Sequence, residues 1–138
     1  MRKGSFHIEE NKQLLMIRPS GAWSEQVATR YVEKIDEYLS RWQANFAGFV
    51  DLRQWQLGTP QALKIIADND LKAITQGYKL EFHYGNPQAL SMQISREHIS
   101  PEGLNVFQTT DLTLVQQKCS EFGFDYEPQA LADFLNAD

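Results

Sequence analysis

Cysteine is almost missing from this chain. Cys119 stands alone, so no internal disulfide can form, and a reducing, cytoplasmic setting is expected. Long apolar runs are missing too. No stretch approaches the roughly 18 apolar residues of a membrane span, and the opening MRKGSFHIEE follows its two basic residues with no apolar segment, so neither a transmembrane segment nor a signal peptide is expected. Positive charge is in the minority. With 13 Lys and Arg against 18 Asp and Glu, a net charge of −5 and no basic cluster, nucleic acid is not an expected partner. The usual signatures of chemistry are lacking as well: there is no glycine-rich phosphate loop, Gly-x-Ser-x-Gly elbow or His-Glu-x-x-His. The three histidines, His7, His83 and His98, fall on separate expected elements, and none lies four residues from another ligand type. No metal, cofactor or enzyme activity is therefore expected.

What is present is an ordinary globular composition, 42% hydrophobic and 22% charged over 138 residues, which is long enough for one domain that needs no covalent staples. The chain is organised around residues 47–66, AGFVDLRQWQLGTPQALKII. Ala47, Gly48, Phe49, Val50 and Leu52 make a nearly continuous apolar run, as expected of a strand covered on both faces inside a parallel sheet. Asp51 is its one polar residue. A carboxylate in such a strand needs a partner, which places it at the strand's C-terminal end, with Arg53 as a salt-bridge or substrate-positioning partner. Residues 53–58 read as an exposed turn. Thr59-Pro60 then reads as an N-cap followed by the first helical residue, since proline lacks only a donor that a helix start leaves orphaned. Loops beyond the C-terminal ends of strands are where open α/β sheets meet ligands, so residues 53–59 are the first candidate surface.

Ahead of this stretch, residues 5–9 alternate and residues 13–18 are apolar, which predicts a β-hairpin whose second strand is the inner one; Pro19-Ser20-Gly21 is expected to break it. Ser24 can cap a helix whose apolar stripe runs through Val27, Ala28, Tyr31, Val32, Ile35, Tyr38, Leu39 and Trp42. Its opposite face is charged, with Glu37 and Arg41 spaced to pair.

After the central strand, a helix from Pro60 to about Gln76 is expected, weakened in its middle by Asp68-Asn69-Asp70 and closed by Gly77. Residues 79–84 alternate and predict a strand with one wet face, nearer the sheet's edge. A third helix is expected over Pro87 to His98, then a short strand at residues 104–107. A helix capped by Thr110 or Asp111 follows, with Leu112, Val115, Cys119 and Phe122 inward and Gly123 at its end, and residues 128–136 form a last short helix. Pro-Gln-Ala-Leu occurs at Pro60, Pro87 and Pro128 at unequal intervals, which reads as three proline-first helix starts and not as a repeat array. Cys119, on an inward stripe, is expected to be an inert core thiol.

The expected order is a hairpin followed by alternating helices and strands: an α/β domain over residues 1–138, its core at about 5–122. It has a mostly parallel mixed sheet of about five strands, the first antiparallel, with helices packed on it. A hairpin, a long helix, an apolar strand ending in Asp-Leu and a capped helix resemble the STAS domain, and within it the SpoIIAA-like family of small bacterial proteins. Phe49-Val50-Asp51-Leu52-Arg53 and Thr59-Pro60 carry the resemblance. It implies a non-enzymatic regulatory or protein-interaction module. Family members include anti-sigma-factor antagonists, switched by phosphorylation of a serine at the start of the helix after the central strand. Here Leu57-Gly58-Thr59-Pro60 replaces the Asp-Ser-Ser-Gly signature, and Thr59 is the nearest candidate phosphosite; its other reading is as an N-cap alone. The family is also similar to lipid-binding Sec14-type domains, which implies as the alternative a carrier or sensor of a small apolar or amphipathic ligand.

Trp23 and Trp55 both fall in expected loops at one end of the sheet, and two accounts of them stay open. As exposed aromatics they would form, with Asp51, Arg53, Leu57 and Thr59, a surface for a protein partner or a second copy of the chain. Folded inward, they would lie over the core. A carrier would instead need a cavity between sheet and helix lined by residues such as Tyr31, Tyr38, Phe82 and Tyr84.

Overall fold

The structure, a computed structural model, describes residues 2–42, 44–85 and 103–137. Strand β1 (Ser5–Asn11) turns back into β2 (Leu14–Trp23), which leads through Ser24 into helix α1 (Glu25–Arg41). Then come β3 (Phe46–Asp51), β4 (Trp55–Gly58), α2 (Pro60–Thr75), β5 (Tyr78–Tyr84), β6 (Asn105–Thr109), α3 (Leu112–Phe122) and α4 (Pro128–Asn136). The helix expected over Pro87–His98 lies outside the described residues.

The sheet runs β1-β2-β3-β5-β6, with β4 paired to the far end of β2. Only β1 is antiparallel to its neighbour among these pairs. β3 lies between β2 and β5, parallel to both, and Ala47 and Phe49 are wholly buried. That is the interior strand its apolar run predicts.

Strand alternation divides the core in two. Leu15, Ile17, Phe46 and Tyr78 face α1 and α2 together with Val27, Ile35, Leu39, Leu63 and Ala73. Leu14, Met16, Phe49, Leu80 and Phe82 face α3 and α4, where Val115, Cys119, Leu131, Phe134 and Leu135 meet them. The caps are those the sequence predicts. Ser24 and Thr59 oxygens accept the Val27 and Ala62 backbone N–H groups, Asp111 caps α3, and Gly123 closes it in the left-handed conformation.

Five local expectations are corrected. Pro19 does not end β2, which continues to Trp23. Pairing to β3 stops at Ile17 with Val50, so no β3 partner needs the donor Pro19 lacks, and Gly21, at φ 69°, sits where β2 turns to pair with β4. Residues 55–58 are therefore strand and not open turn. The Asp68-Asn69-Asp70 segment does not break α2: Asn69 donates to Asp36 of α1 at 3.2 Å and Lys64 holds Asp68 at 2.8 Å. Arg41 pairs with Glu10 of β1 at 2.6 Å, while Glu37 takes Lys34. Finally, β5 has no wet face. Glu81 and His83 are 5% and 2% exposed, because α2 covers the face on which the alternation placed its polar residues.

Candidate functional site

The C-terminal end of β3 delivers Asp51 into a buried clamp. Its carboxylate has no exposed surface and accepts from Arg53 Nε and Nη2, each at 2.9 Å, from the Arg53 backbone N–H at 3.1 Å and from Arg18 Nε at 3.3 Å. Burial alone would raise its pKa; the bonds from Arg53 and then Arg18 outweigh it and hold the carboxyl below its ordinary value. Both arginines reach on to α4. Arg18 Nη2 donates to the Phe134 carbonyl and stacks on that ring at 4.2 Å, and Arg53 Nη2 donates to the Leu135 carbonyl at 2.7 Å. The Asp51–Arg53 pair thus binds the last helix to the sheet, and these side chains are already occupied by protein groups.

Beyond Asp51, Gln54 is exposed in the turn, and β4 carries Trp55 inward and Gln56 outward. Trp23 and Trp55 are 2% and 6% exposed and meet edge to face at 5.8 Å. They do not form an exposed aromatic patch, because β4 pairs with the end of β2 and turns both indoles under α1 and α2. Thr59 is exposed and caps α2. Among the six residues singled out from the sequence, Arg53 and Thr59 therefore present side chains outside, while Asp51, Trp23 and Trp55 lie inside.

The inner face behind Trp55 holds a cavity of about 40 Å³, lined by residues that include Trp23, Tyr31, Trp55, Asp70, Glu81 and His83. A smaller one beside it also touches Tyr31 and Asp70 and reaches Tyr78 and Gly48. Glu81 accepts from the Tyr78 hydroxyl and bonds His83 Nε2 at 2.8 Å. Burial opposes the Glu81 charge, but His83 and Tyr78 together lower its pKa. Asp70 is the reverse case. Burial, and then the nearby Glu81 charge, push its carboxyl well above the ordinary range. Of the four residues named for a carrier's cavity, Tyr31 lines this one, Phe82 and Tyr84 pack on the opposite face, and the Tyr38 hydroxyl is turned toward the Ile8 carbonyl at 3.4 Å.

Arg18, Asp70, Tyr78, Glu81 and His83 were not among the residues singled out. A signal existed for four of them: an arginine ending an apolar strand, a polar Asp-Asn-Asp trio inside a helix, and two polar residues alternating through β5; Tyr78 had none. Among the described residues, no three His, Cys, Asp or Glu side chains come together as a group able to hold a metal ion. None of the described helices is long and apolar enough to cross a membrane.

No protein-family model matches the chain, and no curated protein matches its sequence. Solved structures do match in shape. An uncharacterised protein from Shewanella loihica with a SpoIIAA-like fold superposes with a TM-score of 0.60 at 12% identity, over 86% of this chain and 96% of that one. The Bacillus cell fate determinant SpoIIAA in its phosphorylated form gives 0.57 at 13% identity, over 83% and 99%. The anti-sigma factor antagonist SpoIIAA in its unphosphorylated form gives 0.56 at 11% identity, over 83% and 97%. The mixed sheet, its antiparallel first strand and the helices on its two faces are thus those of a SpoIIAA-like, STAS-type fold.

Proposed function

We propose that this protein is a non-enzymatic regulatory module that binds a protein partner through the surface made by the β3–β4 turn, β4 and the start of α2. The observation that carries the reading is the likeness, over more than four-fifths of the chain, to solved structures described as a cell fate determinant and an anti-sigma factor antagonist. Locally, Arg53, Gln54, Gln56, Thr59, Pro60 and Gln61 are all exposed. They offer hydrogen-bonding groups on a rigid base, since Trp55 anchors β4 from beneath. Thr59 stands where the α2 dipole and free N–H groups would receive a phosphate. Phosphorylation there would place about two negative charges in the middle of the surface and switch partner binding.

A lipid-like ligand draws less support, since the inner cavity has room for only a few water-sized atoms. The test is affinity capture with immobilised protein, its Gln56→Arg variant and its Thr59→Glu variant, read by mass spectrometry. One protein retained by the parent and lost by both variants, with unfolding midpoints unchanged, is the expected result. A partner kept equally by all three would remove this surface from the reading.

A further inference from the structure

The cavity behind β4 is bordered by polar groups left unpaired among the described residues. The Trp55 indole N–H is fully buried and has no hydrogen-bond partner among the described residues, although Trp55 itself lines the cavity. By contrast, the neighbouring Trp23 indole is satisfied twice, by the Ser5 and Ser20 carbonyls at 3.1 and 3.2 Å. A buried donor without an acceptor is costly and rare in a native fold, and the cavity that the Trp55 ring borders is a space from which an acceptor could approach it. Asp70 faces the same space. Its carboxylate makes no hydrogen bond with any described residue, and the cations of its own helix are engaged elsewhere, Lys64 by Asp68 and Lys72 by Asp36.

The remaining titratable neighbours do not neutralise it. Glu81 adds a second carboxylate, held by His83 at 2.8 Å and by Tyr78, so any charge on the imidazole already faces Glu81. The walls are aromatic faces. Trp23 lies 5.1 Å from Tyr31 and 5.8 Å from Trp55, centroid to centroid. An anionic floor with aromatic sides is an environment for an organic cation, which gains from the ring faces as well as from the carboxylate. Size limits the guest, because about 40 Å³ admits only a few non-hydrogen atoms. Tyr31 of α1 and Asp70 of α2 are both half-buried, so neither wall is wholly sealed from solvent.

We propose that this cavity binds a compact protonated amine bearing an adjacent oxygen, its ammonium on Asp70 beneath Trp23 and Tyr31 and its oxygen accepting from the Trp55 indole N–H. Water could satisfy the hydrogen bonds, but it leaves Asp70 held protonated by burial and by the Glu81 charge beside it; a guest with a positive charge of its own lets the carboxylate ionise and gives both acidic groups a counter-charge. The site lies beneath the proposed partner surface and uses none of its exposed residues, so either reading can fail without the other.

Ethanolamine is the probe, and ethylene glycol is its uncharged counterpart of the same size. Proton–nitrogen NMR of the full chain follows the Trp55 indole resonance, identified by its loss in Trp55→Phe. Ethanolamine is expected to move that resonance saturably at millimolar concentration, with ethylene glycol at least about tenfold weaker and Asp70→Asn about ten- to hundredfold weaker for ethanolamine. The Asp70→Asn spectrum itself reports whether that variant is folded, and the glycol comparison needs no variant. Equal binding of glycol and ethanolamine would overturn the charge assignment. An indole resonance that ethanolamine leaves unmoved, as for a cavity filled by water alone, would overturn the site.

Discussion

Replacing Asp51 with asparagine tests how α4 is held. The substitution keeps the shape of the side chain but removes the charge to which Arg18 and Arg53 are bonded. Arg18 dominates the cost. Its side chain is 7% exposed, so the guanidinium loses its counter-charge with almost no water to replace it, and removing one partner of a buried pair costs about 3–5 kcal/mol. The Arg53 side chain is 40% exposed, and solvent limits its share to about 0–1 kcal/mol. The sum, about 3–6 kcal/mol, is a large part of the roughly 5–15 kcal/mol expected for a single domain. Urea unfolding followed by circular dichroism should therefore show a clearly lower midpoint. Amide exchange should rise first in α4, whose Phe134 and Leu135 carbonyls accept from the two arginines.

The same clamp has a pH signature. The folded Asp51 pKa lies below its ordinary 3.8, so its stabilisation is complete above that value and is lost as pH falls through the lower, folded one. In Asp51→Asn this acid-side loss should shrink. Removing both charges, as in Arg18→Met with Asp51→Leu, should recover part of the single variant's loss, because no buried charge then stands alone. A destabilisation by Asp51→Asn of less than about 1 kcal/mol, with α4 as protected as in the parent, would refute the reasoning.

Asp70 has the opposite sign: its folded pKa is raised, so stability falls as pH climbs from the unfolded value toward the folded one, and Asp70→Asn should raise the melting temperature near neutral pH and flatten that decline in melts run from pH ~4 to ~8. Gly48→Ala would drive a methyl group against the Tyr78 hydroxyl that holds Glu81; a loss of about 1–3 kcal/mol in denaturant unfolding is expected. Thr59→Ala removes the oxygen that caps the Ala62 N–H at 3.1 Å and should cost about 1 kcal/mol by the same assay, with Thr59→Ser restoring most of it. Cys119 is 1% exposed and burial pushes its thiol up to about 11, so native protein at neutral pH should resist alkylation that the urea-unfolded chain undergoes within the same incubation.

Local rules carry the elements well here, because caps and periodicity act over three or four residues. Ser24, Thr59-Pro60 and Gly123 each do what their own chemistry requires, and the apolar run at Phe49 demands burial on two faces wherever the strand lies. The antiparallel hairpin and the parallel crossovers follow from the order of those elements. Two misreadings, and the choice between the two open accounts of the tryptophans, share one cause. Pro19 within β2, β4 at residues 55–58 and the two buried tryptophans all depend on β2 leaving β3 after Ile17 and taking β4 as a second neighbour. That pairing joins residues more than thirty apart in the chain, beyond the reach of any local pattern.

The sequence by itself determined which residues are apolar, how often they recur and where helices start, and hence a mixed α/β sheet with the Asp51–Leu52 strand inside it. Tertiary structure alone decided what the polar residues face. Alternation in β5 separates Glu81 and His83 from Leu80 and Phe82, but water and a buried partner reward a polar side chain alike, and only the placement of α2 against that face chooses between them. The same holds for Asp51, Arg18 and Asp70: a charge states its need for compensation in the sequence, and the packed chain determines whether protein supplies it.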